Sequence, residues 1–272
     1  MSCEVQTVNF SVDKDKCIKC GLCKDDCPVW TIGMDEYPYI KKEENCFKCQ
    51  HCFAVCPTGA ISILGNNPAD ELSLKDLSIN SEDFKRLIRG RRSVRKYKNE
   101  NISKSVITEL CQTALHAPTA KNTNTVHFTV IDDKEKLDKF RKIVYGKLKV
   151  LNLENMLGFN INKMVENWEA GKSDKLFATA PHMVVASAPQ DTPFSSVDSI
   201  IALSYFELLA NTMNIGTLWN GILRYLFNQV IPEIRKELEI PEDHRIDHVM
   251  VFGVPDVVYH RTVNRNPVHL NF

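Results

Sequence analysis

The sequence has no excess of charge of either sign: 34 Lys and Arg balance 34 Asp and Glu over 272 residues. A general nucleic-acid or polyanion binder needs a surplus of Lys and Arg, so no nucleic-acid partner is expected. Long apolar runs are missing too. The most apolar helical window, Ser199–Met213, is shorter than the roughly 20 residues a bilayer requires and carries Glu207 in its middle, so no membrane partner is expected. The opening residues, MSCEVQTVNFSVDKDK, contain no basic stretch followed by an apolar one, so no secretory signal is read. A cytoplasmic protein with reduced thiols is the expectation. A G-x-G-x-x-G dinucleotide fingerprint is likewise missing. What remains is 43% hydrophobic and 25% charged, enough to bury a core.

Two further scarcities divide the chain. Arginine is absent from residues 1–78, where eight Lys face twelve acids, a net of −4. Cysteine is nearly absent beyond residue 56, with Cys111 alone. Residues 79–272 hold all eleven Arg and a net charge of +4. Such a shift marks two units of different chemistry. Between them Leu64-Gly-Asn-Asn-Pro-Ala-Asp-Glu-Leu72 reads as turn and linker, broken by Gly65 and Pro68. The domains expected are 1–65 and 81–272, with 66–80 as linker.

The first unit repeats itself. Cys17, Cys20, Cys23 and Cys27 recur 29 residues later as Cys46, Cys49, Cys52 and Cys56, and Pro28 and Pro57 follow the two fourth cysteines. A zinc site takes C-x-x-C pairs parted by long spacers. Here each block has three cysteines at successive x-x spacing and a fourth before proline, the pattern that holds a cubane iron–sulfur cluster. The fourth cysteine of such a tandem serves the other cluster. One cluster would therefore use Cys17, Cys20, Cys23 and Cys56, the other Cys46, Cys49, Cys52 and Cys27. Apolar runs at Val8–Phe10, Tyr37–Ile40 and Ala60–Leu64 suit small hairpins around them. Over residues 1–65 the pattern resembles the bacterial two-[4Fe-4S] ferredoxins, whose clusters relay single electrons. Cys3 and Cys111 fall outside it. Cys3 reads as an exposed thiol, Cys111 as a packed residue on an apolar helical face.

The second unit mixes helical and strand periodicities, a mixed α+β domain. Helices are expected from a cap at Ser81 to Gly90, after a cap at Ser103 and before Pro118, over Lys134–Val150, near Ile161–Ala170, over Val197–Met213 and from Pro232. Strands are expected at Val126–Ile131, Met183–Ala188, Thr217–Trp219 and His248–Phe252. The tail from Val257 reads as an extended arm.

Within this unit Arg91-Arg92-Ser93-Val94-Arg95 concentrates three guanidinium groups and a hydroxyl in five residues, a natural phosphate clamp. A second segment, Pro118-Thr119-Ala120-Lys121-Asn122, joins a helix to a strand and exposes amides to a planar heterocycle. A third, Leu218-Trp219-Asn220-Gly221, follows the long apolar helix and offers backbone amides at a turn. Arg261 and Arg265 punctuate the tail. In this order the segments resemble the flavin-dependent nitroreductases over residues 81–272. The resemblance implies an α+β sandwich with an extended C-terminal arm and an FMN cofactor in a cleft shared by a homodimer. It implies that Arg91, Arg92, Ser93, Arg95 and Arg265 meet the FMN phosphate and ribityl chain. Pro118, Thr119, Ala120 and Asn122 would meet the ring from one side, and Leu218, Trp219, Asn220 and Gly221 near its hydride-carrying nitrogen. In the second segment Asn124, Thr125 and Val126 depart from the family's Gln-Pro-Trp.

No protein acid or base stands out; His116, His127 and His182 read as structural. Tyr145, Tyr225 and Phe227 are aromatic candidates for the cleft. The chemistry would be flavin-borne. The expected enzyme passes electrons through two [4Fe-4S] clusters to FMN and on to a small acceptor: a nitroaromatic, quinone, activated alkene or halogenated aromatic. A ferredoxin-type or other low-potential donor would supply them. The alternatives are an NAD(P)H-dependent flavoenzyme exporting electrons through the clusters, and a non-catalytic electron-transfer module.

Overall fold

The computed structural model describes residues 7–264 together with Leu270 and Asn271. The described residues separate into two units. One takes in the chain up to Ile79 together with Lys121–Thr123; the other takes in Asn80–Ala120 and the residues from Asn124 onward.

The first unit is small and built in two similar halves. Strand β1 (Ser11–Val12), helix α1 (Leu22–Asp25), the hairpin β2 (Ile32–Met34) and β3 (Pro38–Ile40), helix α2 (His51–Ala54) and strand β4 (Ile61–Ser62) follow in order. β1 pairs antiparallel with β4, and β2 with β3. The first strand starts at Ser11, three residues later than the run at Val8–Phe10 suggests. Val8 is instead a core residue, buried with Ile32, Ile61 and Ile63.

The second unit is built on one antiparallel sheet in the order β5 (His127–Ile131), β6 (His182–Pro189), β8 (His244–Gly253), β7 (Gly216–Trp219). Its helices are α3 (Ser81–Gly90), α4 (Lys104–Ala114), α5 (Lys134–Leu151), α6 (Ile161–Glu169), α7 (Ser195–Thr212), α8 (Gly221–Tyr225) and α9 (Ile234–Glu237). The central strands carry unbroken apolar runs because both faces are covered. Val184, Ala186, Met250 and Phe252 pack with α4 and α7, while the alternate residues Met183, Val185, Val249 and Val251 pack with α5, α6 and α8. Period-two alternation thus divides one sheet between two cores. The result is the α+β sandwich.

Local chemistry sets the helix ends. Asn80, not Ser81, caps α3, its side chain accepting from the amides of Glu82 and Asp83. Ser103 caps α4 as expected. Pro232 lies outside α9, which begins two residues later at Ile234. Asparagine and serine differ little as caps, so the register of the first turn decided between Asn80 and Ser81. Residues 257–264 form neither helix nor strand. Arg265 and Cys3 lie outside the described residues. No helix among those described is long and apolar enough to cross a membrane.

His182 is fully buried in β6, where its Nε2 accepts from the Ile102 amide. Burial pushes its pKa below the usual histidine value, so it stays neutral and ties the entry of α4 to the central strand. His116 and His127 are exposed. Cys111 packs beside the α4–α7 core, and burial raises its thiol to about 11. Tyr145 and Phe227 are core residues as well, both essentially inaccessible.

Candidate functional site

The cysteine repeat is also a repeat of backbone shape. Lys19 and Lys48 (φ 57° and 54°), Gly21 and Gln50 (79° and 60°), and Trp30 and Gly59 (51° and 60°) all adopt left-handed conformations. Each pair is separated by the same 29 residues as the cysteines. Non-glycine residues enter this region rarely. Four such positions around two short helices mark an over-determined loop. Successive right- and left-handed residues turn their amides inward into a concave nest, the form that commonly lines iron–sulfur sites.

Two cavities lie inside. Cys17, Cys20, Cys23 and Cys56 wall the first, together with Leu22, Met34 and Ile61. Cys27, Cys46, Cys49 and Cys52 wall the second, with Ile32, Phe47 and Ile63. Each block's fourth cysteine therefore lies in the other block's cavity. Among the described residues no three Cys, His, Asp or Glu side chains converge tightly enough to hold a single metal ion; the thiols stand around spaces instead. Four thiols around an apolar space are the donor set of a cubane, and the residues fit such a group.

The thiols differ in environment. Burial raises Cys23 and Cys46, and lifts Cys52 to about 12. At Cys56 burial acts the same way, but the Ala60 amide, 3.2 Å from its sulfur, and contacts from Thr58 outweigh it and lower the pKa. The Lys48 amide donates to Cys46 Sγ at 3.4 Å. Iron–sulfur ligation requires thiolates, so iron must displace protons from the buried sulfurs, and amides aimed at sulfur tune the potential of a bound cluster. Within the same unit Asn122 donates its carboxamide to the carbonyls of Phe47 (3.0 Å) and Lys48 (3.2 Å). The nitrogen of a residue expected to meet a flavin is thus engaged elsewhere.

In the sandwich unit the arginine block lies along β7. Ser93 bridges Thr217, and the Val94 amide donates to the Thr217 carbonyl at 2.9 Å. A Cβ on Gly216 would stand 2.6 Å from Val94 Cγ2. Glycine there lets block and strand touch. The three arginines have distinct roles. Arg91 Nη1 donates to the buried Glu207 at 3.0 Å. Arg92 bonds back to the carbonyls of Arg89 and Gly90, closing α3. Arg95 is exposed, and among the described residues its one side-chain hydrogen bond goes to the Ser93 carbonyl, at 3.3 Å. Ser93 Oγ has no partner among the described residues.

The other two segments also divide into structural and open groups. The Ala120 amide donates to both oxygens of Asp198, a buried acid on α7. Thr119 Oγ1 accepts from the Asn124 amide, and Pro118 is exposed. Leu218 packs in the core, and Trp219 meets His248 edge-on. The Asn220 amide donates to Val249, and its side chain caps α8 and donates to the Leu176 carbonyl. Gly221 opens α8, is exposed, and its amide has no acceptor among the described residues. The open donors are therefore Ser93 Oγ, the Arg95 fork and the Gly221 amide. They fit a phosphorylated, hydrogen-bonding cofactor such as FMN.

Comparison with known proteins identifies both units. The model of the nitroreductase family matches residues 88–254, and that of the 4Fe-4S dicluster domain matches residues 16–61. The chain belongs to the nitroreductase family. It carries a 4Fe-4S dicluster ferredoxin domain ahead of the family's own. A putative NADH dehydrogenase/NAD(P)H nitroreductase of Archaeoglobus fulgidus is 26% identical over 178 residues, covering 64% of this chain and 86% of that protein. An uncharacterised ferredoxin of Methanocaldococcus jannaschii is 42% identical over 60 residues, 21% of this chain and 78% of that protein. A nitroreductase structure with bound FMN from Desulfitobacterium hafniense shares the fold. Its TM-score is 0.56 at 22% identity, over 71% of this chain and all of that one.

Two residues of the nitroreductase domain escaped sequence reasoning. Glu207 and Asp198 are acids on the apolar helix α7, and each holds a flavin-candidate segment: Glu207 takes Arg91 and Thr217, Asp198 takes Ala120. The available signal was a carboxylate in an apolar helix, which is buried only when paired.

Proposed function

We propose that the chain is an FMN-dependent oxidoreductase that draws single electrons from a low-potential donor and reduces a small acceptor. Two bound [4Fe-4S] clusters supply one-electron transfer, and FMN exchanges one electron at a time for two. The observation that carries this reading is the pair of four-thiol cavities, each walled by three cysteines of one block and one of the other, fused to a nitroreductase domain.

The residues divide the work. Cys17, Cys20, Cys23 and Cys56 would hold one cluster, and Cys27, Cys46, Cys49 and Cys52 the other. Ser93 and Arg95 would take the FMN phosphate, Arg95 as a fork open to solvent, with Arg265 as a further candidate. The Gly221 amide would donate to the flavin ring. Arg91 acts through Glu207, fixing the block against β7. The domains are proposed as 1–65 and 81–272 joined by 66–80, and the active form as a homodimer. The acceptor classes are nitroaromatics, quinones, activated alkenes and halogenated aromatics.

The name of the Archaeoglobus relative favours a second reading, in which NAD(P)H is the donor and the clusters export electrons. Anaerobic steady-state turnover of the full chain separates the two. Reduced ferredoxin, NADH and NADPH are compared as donors across those four acceptor classes. Faster turnover with ferredoxin is expected; turnover with a nicotinamide nucleotide alone would reverse the direction of flow.

A further inference from the structure

Outside the flavin-candidate segments, the sandwich unit contains a cavity of about 280 Å³ lined by Gln190, Arg224, Tyr225, Asn228, Gln229, Arg235 and Arg245. Four elements build it, together with Gln190 just after β6. Arg224 comes from α8, Arg235 from α9 and Arg245 from β8. Asn228 and Gln229 come from the single π turn Leu226–Val230 that continues α8. A π turn is a rare feature that often accompanies functional sites.

The arginines are fixed by their stems and open at their ends. Arg224 Nε donates to the Asp247 carbonyl at 2.6 Å, and Arg245 Nε donates to Asp247 Oδ1 at 2.8 Å. Neither uses its terminal amino groups among the described residues. Arg235 makes no side-chain hydrogen bond there, and its Nη2 is buried without a partner. A buried guanidinium donor left unpaired is costly. Three like charges around one space add repulsion. Among the described residues the acid bonded to them is Asp247, which is itself buried and also accepts from Ser199 Oγ at 2.8 Å. The local balance is three positive charges to one negative, a surplus of two. No acid lines the space.

We propose that this cavity binds a phosphoryl group. A phosphate carries close to two negative charges near neutral pH and presents several acceptor oxygens, which matches the surplus. Guanidinium forks match its geometry, and the side-chain amides of Gln190 and Gln229 supply neutral donors, while Asn228 uses its own amide on the carbonyls of Arg224 (3.0 Å) and Ile246 (2.9 Å) and so fixes the π turn. The volume suits a phosphate ester or a free phosphate, since whole-ligand pockets are usually larger, roughly 300–1,000 Å³. None of the residues lining the cavity belongs to the arginine block, so it is not the proposed FMN phosphate position.

The test uses the full chain with its clusters and FMN bound, so that the flavin site is filled. Orthophosphate, diphosphate and citrate are titrated by calorimetry at constant ionic strength, against wild type and the separate variants Arg224→Gln, Arg235→Gln and Arg245→Gln. Saturable binding of one phosphate species per chain is expected, weakened about tenfold or more in each variant, the loss of one charged hydrogen bond. Arg224 is exposed, so its variant remains informative even if Arg235→Gln fails to fold. Tighter orthophosphate would assign a monoester or free ion, and tighter diphosphate a diphosphate-bearing ligand. Binding that does not saturate, that is unchanged in Arg224→Gln and Arg245→Gln, or that citrate matches would overturn the proposal.

Discussion

Arg91→Ala is expected to destabilise the nitroreductase domain by about 3 kcal/mol, the lower end of the range for breaking a buried ion pair. The Glu207 side chain is only 8% exposed, and Arg91 Nη1 lies 3.0 Å from it. Thr217 Oγ1 donates to the same carboxylate oxygen at 2.9 Å, but one hydroxyl cannot neutralise a buried charge. Removing Arg91 leaves that charge in the core; the lower end applies because a quarter of the Arg91 side chain meets water. Arg91→Ala combined with Glu207→Gln should recover most of the loss, since a neutral amide can keep the Thr217 bond. Arg95→Ala, which breaks only an exposed contact, should leave stability intact and weaken FMN more than riboflavin. The urea midpoint of the full chain, followed anaerobically, reads these effects. An unmoved midpoint in Arg91→Ala would mean that the guanidinium serves the flavin phosphate alone.

Replacing cluster ligands singly and then in pairs should give a pattern that only crossed walls produce. Cys56→Ser should empty the cavity of Cys17, Cys20 and Cys23, and Cys27→Ser the other, each lowering iron from about eight to about four per chain. Paired changes decide the connectivity. Cys56→Ser with Cys17→Ser touches one cavity, so about four irons should remain. Cys56→Ser with Cys46→Ser touches both and should remove nearly all iron. Uncrossed ligation predicts the reverse for the two pairs. Anaerobic iron and sulfide analysis is the readout, and zinc in place of iron would contradict the cluster assignment outright.

The sequence carried the ferredoxin half almost completely, because cluster ligation demands a fixed residue type at fixed spacing. The eight cysteines line the two cavities in the groups that the spacing implied. Strand positions in the sandwich were legible to within a few residues, since both faces of β6 and β8 are buried and their apolar runs are unbroken. The flavin-candidate segments were legible as segments but not as roles. Arg91 and Arg92 look alike in sequence, yet one neutralises Glu207 and the other closes α3. Asn220 looks like a donor to a ligand, but its amide joins the sheet and its side chain caps a helix. The role of Arg91 depends on Glu207, 116 residues away, and that of Asn220 on Val249 and Leu176, which are distant in sequence too, so no local pattern encodes them. Arg224, Arg235 and Arg245 are near in sequence but sit on three different elements, and only the folded domain brings them to one cavity.

The direction of electron flow is tested most directly by anaerobic rapid mixing of the full chain with reduced ferredoxin, following cluster and flavin absorbance together. Cluster bleaching should precede flavin bleaching. In the Cys56→Ser/Cys46→Ser chain, flavin reduction by ferredoxin should slow sharply while reduction by dithionite persists. Flavin reduced by ferredoxin at the wild-type rate in a chain without clusters would contradict entry through the ferredoxin domain.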